Sequence, residues 1–143
     1  MKFQSNSEEE TKAWAKQLVQ AYFSNLSDTA LVFTLQGEMG AGKTQFAKGV
    51  AEALEIKGIV SSPTYVLTRE YQGELGKLVH IDCWRTPTIT PEELHLDEYL
   101  QPETVTVIEW PAPLVPYLAS RTDITLVMLE MGINGGVREI THL

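Results

Sequence analysis

The segment Gly37-Glu38-Met39-Gly40-Ala41-Gly42-Lys43-Thr44 has the residue types and spacing of a phosphate-binding loop, G-x-x-x-x-G-K-[ST]. Its glycines permit backbone angles at which successive N–H groups converge on an anion. A helix that begins near Lys43 points its positive dipole end at the same place. The Lys43 ammonium suits the β- and γ-phosphates, and the Thr44 hydroxyl is a hard oxygen ligand for Mg2+. We therefore predict that this loop binds a nucleoside triphosphate with magnesium, the alternative being a glycine turn that only caps a helix.

Hydrolysis of a nucleotide also needs a group that assists magnesium and the attacking water, and Glu109 is the first candidate. Glu109 ends the apolar run from Thr104 to Glu109. In open α/β sheets, ligands bind beyond the carboxyl ends of the strands. We expect Glu109 to coordinate magnesium or to activate water, and an ordinary carboxylate at an exposed strand end is the alternative.

Asp82 is the second acidic candidate, within His80-Ile81-Asp82-Cys83-Trp84-Arg85. Strand alternation places His80, Asp82 and Trp84 on one face, from which Asp82 could reach magnesium through a water molecule. The alternative is a salt bridge from Asp82 to Arg85. His80 is predicted to be structural or hydrogen-bonded rather than catalytic.

Two further features fit a functional role and a structural one equally well. The hydroxyls of Ser61-Ser62-Pro63-Thr64 could sense a γ-phosphate, as switch loops do, or could cap a turn. Trp110 could stack on the nucleotide or on a partner, or it could pack in the core. Cys83 is predicted to lie in the core, and as the only cysteine it excludes an internal disulfide and a multi-cysteine metal site.

Hydrophobic periodicity indicates the elements that must position these groups. It predicts helices over Glu8 to Leu26 with Ser7 as N-cap, over Lys43 to Leu54, from Pro91 with Thr90 as N-cap, and over Leu114 to Ala119. It predicts strands over Ala30 to Leu35, Tyr65 to Tyr71, Lys77 to Trp84, Thr104 to Glu109, Ile124 to Leu129 and Val137 to Thr141. The second and third of these strands should form an antiparallel hairpin. The pattern indicates one α/β domain over residues 1–143, a P-loop NTPase fold with a mixed, mostly parallel sheet flanked by helices.

The composition limits the cellular setting and the partners. The chain has 143 residues, 43% of them hydrophobic, which is enough for one globular domain with a core. It contains no apolar stretch of about 18 residues and no apolar leader, so we predict a cytoplasmic protein without a membrane segment. A formal net charge of −8 without any run of Lys and Arg argues against direct binding to nucleic acid.

Four motifs in order resemble those of the TsaE family, bacterial P-loop ATPases needed to form threonylcarbamoyladenosine in tRNA. They are the phosphate-binding loop, Ser62-Pro63-Thr64-Tyr65, His80-Ile81-Asp82-Cys83-Trp84-Arg85 and Glu109-Trp110-Pro111. The resemblance covers nearly the whole chain. Trp84 stands where the family usually has tyrosine, and the stretch between Leu94 and Leu100 is shorter than in members that carry a glycine there.

This resemblance implies an ATPase that is slow alone and works with two subunits of the threonylcarbamoyl-transferase complex, of the TsaB and TsaD type. Contact with tRNA would then be indirect. The implied cofactors are ATP and Mg2+, with nucleotide contacts from Thr11, Glu38, Met39, Gly40, Ala41, Gly42, Lys43 and Thr44. Thr44 and Glu109 would bind magnesium, and the catalytic residues would be Lys43, Asp82 and Glu109.

Three other function classes are alternatives to an ATPase. A binding module that uses nucleotide only to order a partner surface is the main alternative. A small-molecule kinase is disfavoured because the chain has no arginine-rich lid segment. A GTPase is disfavoured because the chain has no Asn-Lys-x-Asp motif and no glycine three residues after Asp82. The sequence leaves open the oligomeric state, the turnover rate, the partner-binding face and the base preference.

Overall fold

The apolar run before the glycine-rich loop forms strand β2 (Ala30–Gly37), which is buried on both faces as far as Leu35. In the computed structural model, which describes residues 2–38, 41–58, 60 and 67–143, this strand is the centre of a seven-stranded sheet. The other strands are β1 (Lys2–Ser5), β3 (Thr68–Gln72), β4 (Lys77–Asp82), β5 (Thr104–Glu109), β6 (Ile124–Asn134) and β7 (Val137–His142). The helices are α1 (Glu8–Ala21), α2 (Phe23–Leu26), α3 (Lys43–Ala53), α4 (Pro91–Leu94), α5 (Leu96–Tyr99) and α6 (Val115–Ser120).

The strand order is β1-β7-β6-β2-β5-β4-β3. Strand β2 pairs in parallel with both β6 and β5, and β5 pairs in parallel with β4. The outer pairs β1–β7, β7–β6 and β4–β3 are antiparallel, so the predicted hairpin is confirmed. The predicted α/β fold, with a mixed and mostly parallel sheet flanked by helices, is also confirmed. The carboxyl ends of β2, β4 and β5 meet at one edge of this sheet.

Alternation along the strands divides the core into two layers, one on each face of the sheet. On β2, Phe33 packs in the first layer with residues of α1 and α3 such as Ala15 and Phe46. Its neighbour Val32 packs in the second layer with residues around α4 to α6, including Leu118. The helix that follows the glycine-rich loop therefore lies on one face only.

Two helix starts follow the capping chemistry predicted from the sequence. The Ser7 hydroxyl accepts a hydrogen bond from the Glu10 N–H at 3.1 Å. The Thr90 hydroxyl accepts one from the Glu93 N–H, and the Glu93 carboxylate accepts one from the Thr90 N–H, which completes a capping box. Among the described residues, no helix is long and apolar enough to cross a membrane.

Several element boundaries differ from those predicted. The first helix breaks at Tyr22, which has non-helical backbone angles, and continues as the short α2. Strand β4 ends at Asp82, two residues early, and β6 runs to Asn134 because it pairs with β7 along that extension. Strand β1 was not predicted. Of the predicted strand from Tyr65 to Tyr71, positions 65 and 66 lie outside the described residues, and β3 begins at Thr68.

Candidate active site

The parallel register brings the two predicted carboxylates to neighbouring strand ends. Asp82, the last residue of β4, is the direct partner of Glu109, the last residue of β5. Glu109 is in turn the partner of Leu35 on β2, two residues before the glycine-rich loop begins at Gly37. The backbone continues this proximity, since the Cys83 N–H donates to the Glu109 carbonyl at 3.1 Å. The acidic residues and the loop therefore lie at one edge of the sheet.

Lys43 begins helix α3 and turns its ammonium back toward that edge. Its Nζ donates to the Gly37 carbonyl at 2.9 Å and lies 4.0 Å from the centroid of the Trp110 ring. Burial lowers the pKa of Lys43, while the negative charges of Glu109 and Asp82 raise it. The side chain is only 6% exposed. A buried cation thus faces two carboxylates and an aromatic ring, which is the charge pattern needed to hold an anion beside a divalent cation.

The loop passes close to two other elements at Gly42. This residue has φ +97°, a region that side chains rarely adopt, and it caps the start of α3. A Cβ at this position would lie 3.3 Å from Cδ of Arg138 and 3.5 Å from Cγ2 of Thr11. Upstream, the Ala41 N–H donates to the Glu38 carbonyl at 3.4 Å. Met39 and Gly40, both predicted to contact nucleotide, lie outside the described residues.

Glu109 is buried at the end of its strand, which excludes the alternative of an exposed strand end. Its carboxylate is 6% exposed, and its Oε2 lies 2.6 Å from Nε2 of the fully buried His80. His80 is thus hydrogen-bonded, as its sequence context predicted. The bond is at Oε2, and Oε1 is the second acceptor oxygen of the carboxylate.

Asp82 is half-buried and is fixed by its own strand end. Its Oδ1 accepts a hydrogen bond from the Trp84 N–H at 2.9 Å. Burial raises the pKa of Asp82, and the hydrogen bond from the Trp84 backbone lowers it. The prediction that Trp84 shares a strand face with Asp82 is wrong, because the strand has already ended and the Trp84 ring is 47% exposed.

Thr11 packs against the loop, and Thr44 is its last residue. Thr11, in the first turns of α1, is fully buried, and its hydroxyl lies 2.7 Å from that of Ser5. Its methyl group, rather than its hydroxyl, faces the loop at Gly42. Thr44 is half-buried as the second residue of α3, beside Lys43. The loop Ser61-Ser62-Pro63-Thr64, predicted to sense a γ-phosphate or cap a turn, lies outside the described residues.

Arg138 is a site residue that the sequence did not reveal. It lies on β7, where it is the register partner of Ser5, and its side chain extends to the loop at Gly42. Its Nε is buried and has no hydrogen-bond partner in the described part of the chain. Arg138 is two residues from the buried Ile140 on the same strand, so strand alternation alone places both side chains on the same face of the sheet. No motif around Arg138 indicates that it reaches the loop.

Comparisons with known proteins point to one family. A family model described as "Threonylcarbamoyl adenosine biosynthesis protein TsaE" matches residues 5–138. The tRNA threonylcarbamoyladenosine biosynthesis protein TsaE of Bacillus subtilis (strain 168) is 39% identical over 141 residues, which cover 99% of this chain and 84% of the relative. That of Aquifex aeolicus (strain VF5) is 38% identical over 106 residues, covering 73% of this chain and 71% of the relative.

A solved structure is similar over the same extent. The crystal structure of Bacillus subtilis YdiB matches with a TM-score of 0.71 and 31% sequence identity. The match covers 99% of this chain and 83% of that one. The similarity in sequence and the similarity in fold thus extend over nearly the whole chain.

Proposed function

From the premise that this chain belongs to the TsaE family, whose members take part in the biosynthesis of threonylcarbamoyladenosine in tRNA, we propose that it binds and hydrolyses ATP in that process. The observation that carries this proposal is the convergence of Lys43, Asp82 and Glu109 beside the glycine-rich loop. A structural ion cluster could form anywhere on a domain. This one lies beyond the carboxyl ends of parallel strands, where open α/β sheets bind ligands.

The nucleotide phosphates would lie over the amino end of α3. Backbone N–H groups of Gly42 to Thr44 would face them, and the Lys43 ammonium would exchange the Gly37 carbonyl for phosphate oxygens. Arg138 would add a second cation, since its Nε lies beside Gly42 and has no hydrogen-bond partner among the residues that the structure describes. Burial of these charges strengthens their attraction for phosphate, because the local dielectric is low.

The residues at this edge also fit a magnesium ion. The described residues contain no group of three or more His, Cys, Asp or Glu side chains that could enclose a metal by itself. Magnesium does not require such a cage, because it keeps several waters and binds one or two protein oxygens together with substrate phosphates. Thr44 and Glu109 would supply those oxygens, and Asp82 would act through water. When bound, the ion neutralises charge on the phosphates.

Partner proteins would complete the function. We infer that the chain works with transferase subunits of the TsaB and TsaD type and that it contacts tRNA only indirectly. The formal net charge of −8 supports this arrangement, because a chain that grips tRNA itself needs a basic face. ATP turnover would then drive or reset the transferase complex.

Calorimetry with ATP and Mg2+ tests the nucleotide site. The Lys43→Ala variant should bind ATP at least about a hundredfold more weakly than the wild type, since a buried charge-assisted contact is lost. Lys48→Ala, a change on the same helix but away from the loop, is the matched control and should bind normally. Full-strength binding by Lys43→Ala would refute the loop assignment.

The second candidate function is a nucleotide-gated binding module without significant catalysis. Lys43 held by Gly37 and Trp110 is equally compatible with a site that only exchanges contacts when nucleotide arrives. Phosphate release measured with and without the transferase subunits separates the two, because a pure module releases none in either case. A pull-down from bacterial lysate with and without ATP tests the partners, and recovery of no transferase subunit in either condition would contradict them.

A further inference from the structure

We propose that His80 is a positioning residue that fixes the Glu109 carboxylate for magnesium and water. This inference rests on the proposed function, because it assigns a role within the same ATP site. His80 was predicted only to be structural or hydrogen-bonded. The structure shows that His80 contacts the Glu109 carboxylate through its Nε2 and that the contact is made at Oε2.

The contact joins two neighbouring parallel strands. In the register of β4 and β5, His80 is opposite Val107, and Glu109 lies two residues farther along the same face. The His80 ring therefore reaches diagonally across the sheet to Glu109, with 2.6 Å between Nε2 and Oε2. Both side chains are buried, at 0% and 6% exposure. No solvent competes for this bond, so it determines where the carboxylate points.

The direction of the bond follows from the chemistry of the two groups. A carboxylate that binds magnesium is ionised and can only accept, so the proposed role requires that Nε2 carries the proton and donates to Oε2. The other ring nitrogen, Nδ1, is buried and has no partner in the described part of the chain. Within the described residues, the hydrogen bond of the His80 ring is therefore the one to Glu109. Such a bond selects one rotamer of Glu109, and Oε1 is then the oxygen that would meet magnesium or water.

A freely rotating carboxylate would serve the site less well. The negative charge of Glu109 raises the pKa of Lys43, which shows that the two groups interact. Without the bond from His80, the Glu109 carboxylate could rotate toward the Lys43 ammonium. That ion pair would compete with phosphate and remove an oxygen from the metal. Outer contacts of this kind commonly change metal affinity or activity about 10- to 100-fold when they are removed.

The test compares three variants. His80→Leu removes the donor, His80→Gln keeps an N–H at a similar reach, and Val107→Ala removes a buried side chain from the same layer without touching the bond. Calorimetry measures ATP affinity with Mg2+ and with EDTA, and turnover is followed over a range of Mg2+ concentrations. In His80→Leu, we expect the increase in ATP affinity caused by Mg2+ to be about tenfold smaller than in the wild type. We also expect kcat to fall about 10- to 100-fold. His80→Gln should retain much of the Mg2+-dependent ATP affinity and of kcat. Val107→Ala should lower the stability of the fold without changing ATP affinity or kcat.

The outcomes separate this role from the function on which it rests. A wild type without Mg2+-dependent ATP binding would overturn the proposed function and the positioning role together. Normal wild-type binding with a His80→Leu variant that matches Val107→Ala would overturn only the positioning role. If His80→Leu does not fold, His80→Gln decides the question. A folded His80→Gln variant that loses as much Mg2+-dependent ATP affinity and kcat as is expected of His80→Leu would decide against the role, because it keeps an N–H at a similar reach. Nitrogen-15 NMR of the wild-type ring adds a readout without ATP, and a proton on Nδ1 instead of Nε2 would contradict the proposed bond.

Discussion

Two charged residues of this site, Lys43 and Glu109, are buried in the protein. Lys43 and Glu109 are 6% and 5% exposed, and burying an unpaired charge is costly. Each has a partner from the protein itself: Lys43 has the Gly37 carbonyl and the Trp110 ring, and Glu109 has His80. Under the proposed function, the contacts of Lys43 would be exchanged for contacts with phosphate. The partner of Glu109 is the fully buried side chain of His80.

Glu109→Ala should separate ATP binding from turnover. The variant loses the carboxylate that would coordinate magnesium and activate water, and it retains Lys43 and the loop. We expect ATP affinity in EDTA to stay within about threefold, and kcat to fall at least about a hundredfold, as when an acid–base group is removed. Phosphate release and calorimetry measure the two. Glu130→Ala, an exposed change on β6, is the control, and wild-type turnover by Glu109→Ala would remove Glu109 from the mechanism.

Arg138→Ala should weaken nucleotide binding. The guanidinium lies against the loop at Gly42, and its buried Nε has no partner within the described ranges of the chain. A charge-assisted bond to phosphate is worth about 1.5–3 kcal/mol. A loss of about tenfold or more in ATP affinity is expected, with Arg138→Lys intermediate because it keeps the charge but not the planar fork. Arg121→Ala is the matched control, since Arg121 pairs with Asp123. Unchanged affinity in Arg138→Ala would show that this arginine only packs against the loop.

The sequence could identify some of these residues because their chemistry is local. The eight-residue loop pattern specifies Lys43 and Thr44, and the charged end of an apolar strand points to Glu109. Arg138 and the bond from His80 to Glu109 required the order and register of strands far apart in the chain. A parallel register is determined by packing across the whole sheet, so no short sequence window contains it.

At the scale of elements, the site depends on how α3 is held. Helices α1 and α3 pack closely at Gly49, where a Cβ would lie 2.2 Å from the Lys12 carbonyl oxygen and 2.8 Å from Cβ of Ala15. This contact positions α3 against the first layer of the core. The amino end of α3, with Lys43, is thereby aligned with the ends of the strands.

Gly49→Ala should destabilise the fold although alanine favours helices. Alanine gains about 1 kcal/mol of helix propensity over glycine, but the added methyl group meets the Lys12 backbone, which cannot move as a flexible side chain could. Overpacking of this kind costs about 1–3 kcal/mol, so the net effect should lower the midpoint of thermal unfolding by several degrees. Lys48→Ala on the same helix is the control. A midpoint of Gly49→Ala equal to or above that of the wild type would contradict this prediction, because it would mean that α1 and α3 can move apart to accommodate the methyl group.

Element boundaries were predicted best where local chemistry decides them. The Ser7 and Thr90 caps were predicted because a hydroxyl before a helix has a local partner three residues on. Strand β1 was missed because Lys2 to Ser5 is extended only through its pairing with β7. The extension of β6 beyond Leu129 has the same cause, since its last residues pair with β7 as well.

At the scale of the whole molecule, one sheet separates two core layers, and the site lies at the edge where both end. The fold class was predictable because a continuous apolar strand, a glycine-rich turn and a helix follow one another in the chain. Whether the two layers unfold together decides whether residues 1–143 behave as the single domain that the sequence predicts. Cys83 gives access to this question, because it is the only cysteine and it packs in the second layer.

Cys83 should react with a thiol reagent only when the domain unfolds. It is 2% exposed, and burial raises the pKa of its thiol from 9.0 to about 11, so the reactive thiolate is about a hundredfold rarer than in a solvated cysteine. In increasing urea, labelling by a disulfide reagent should follow the loss of helical circular dichroism, to which α1 and α3 of the first layer contribute most. Coincident transitions indicate one cooperative unit. Cys83→Ala controls for other reactive groups, and labelling well before the loss of helix would show that the second layer opens by itself.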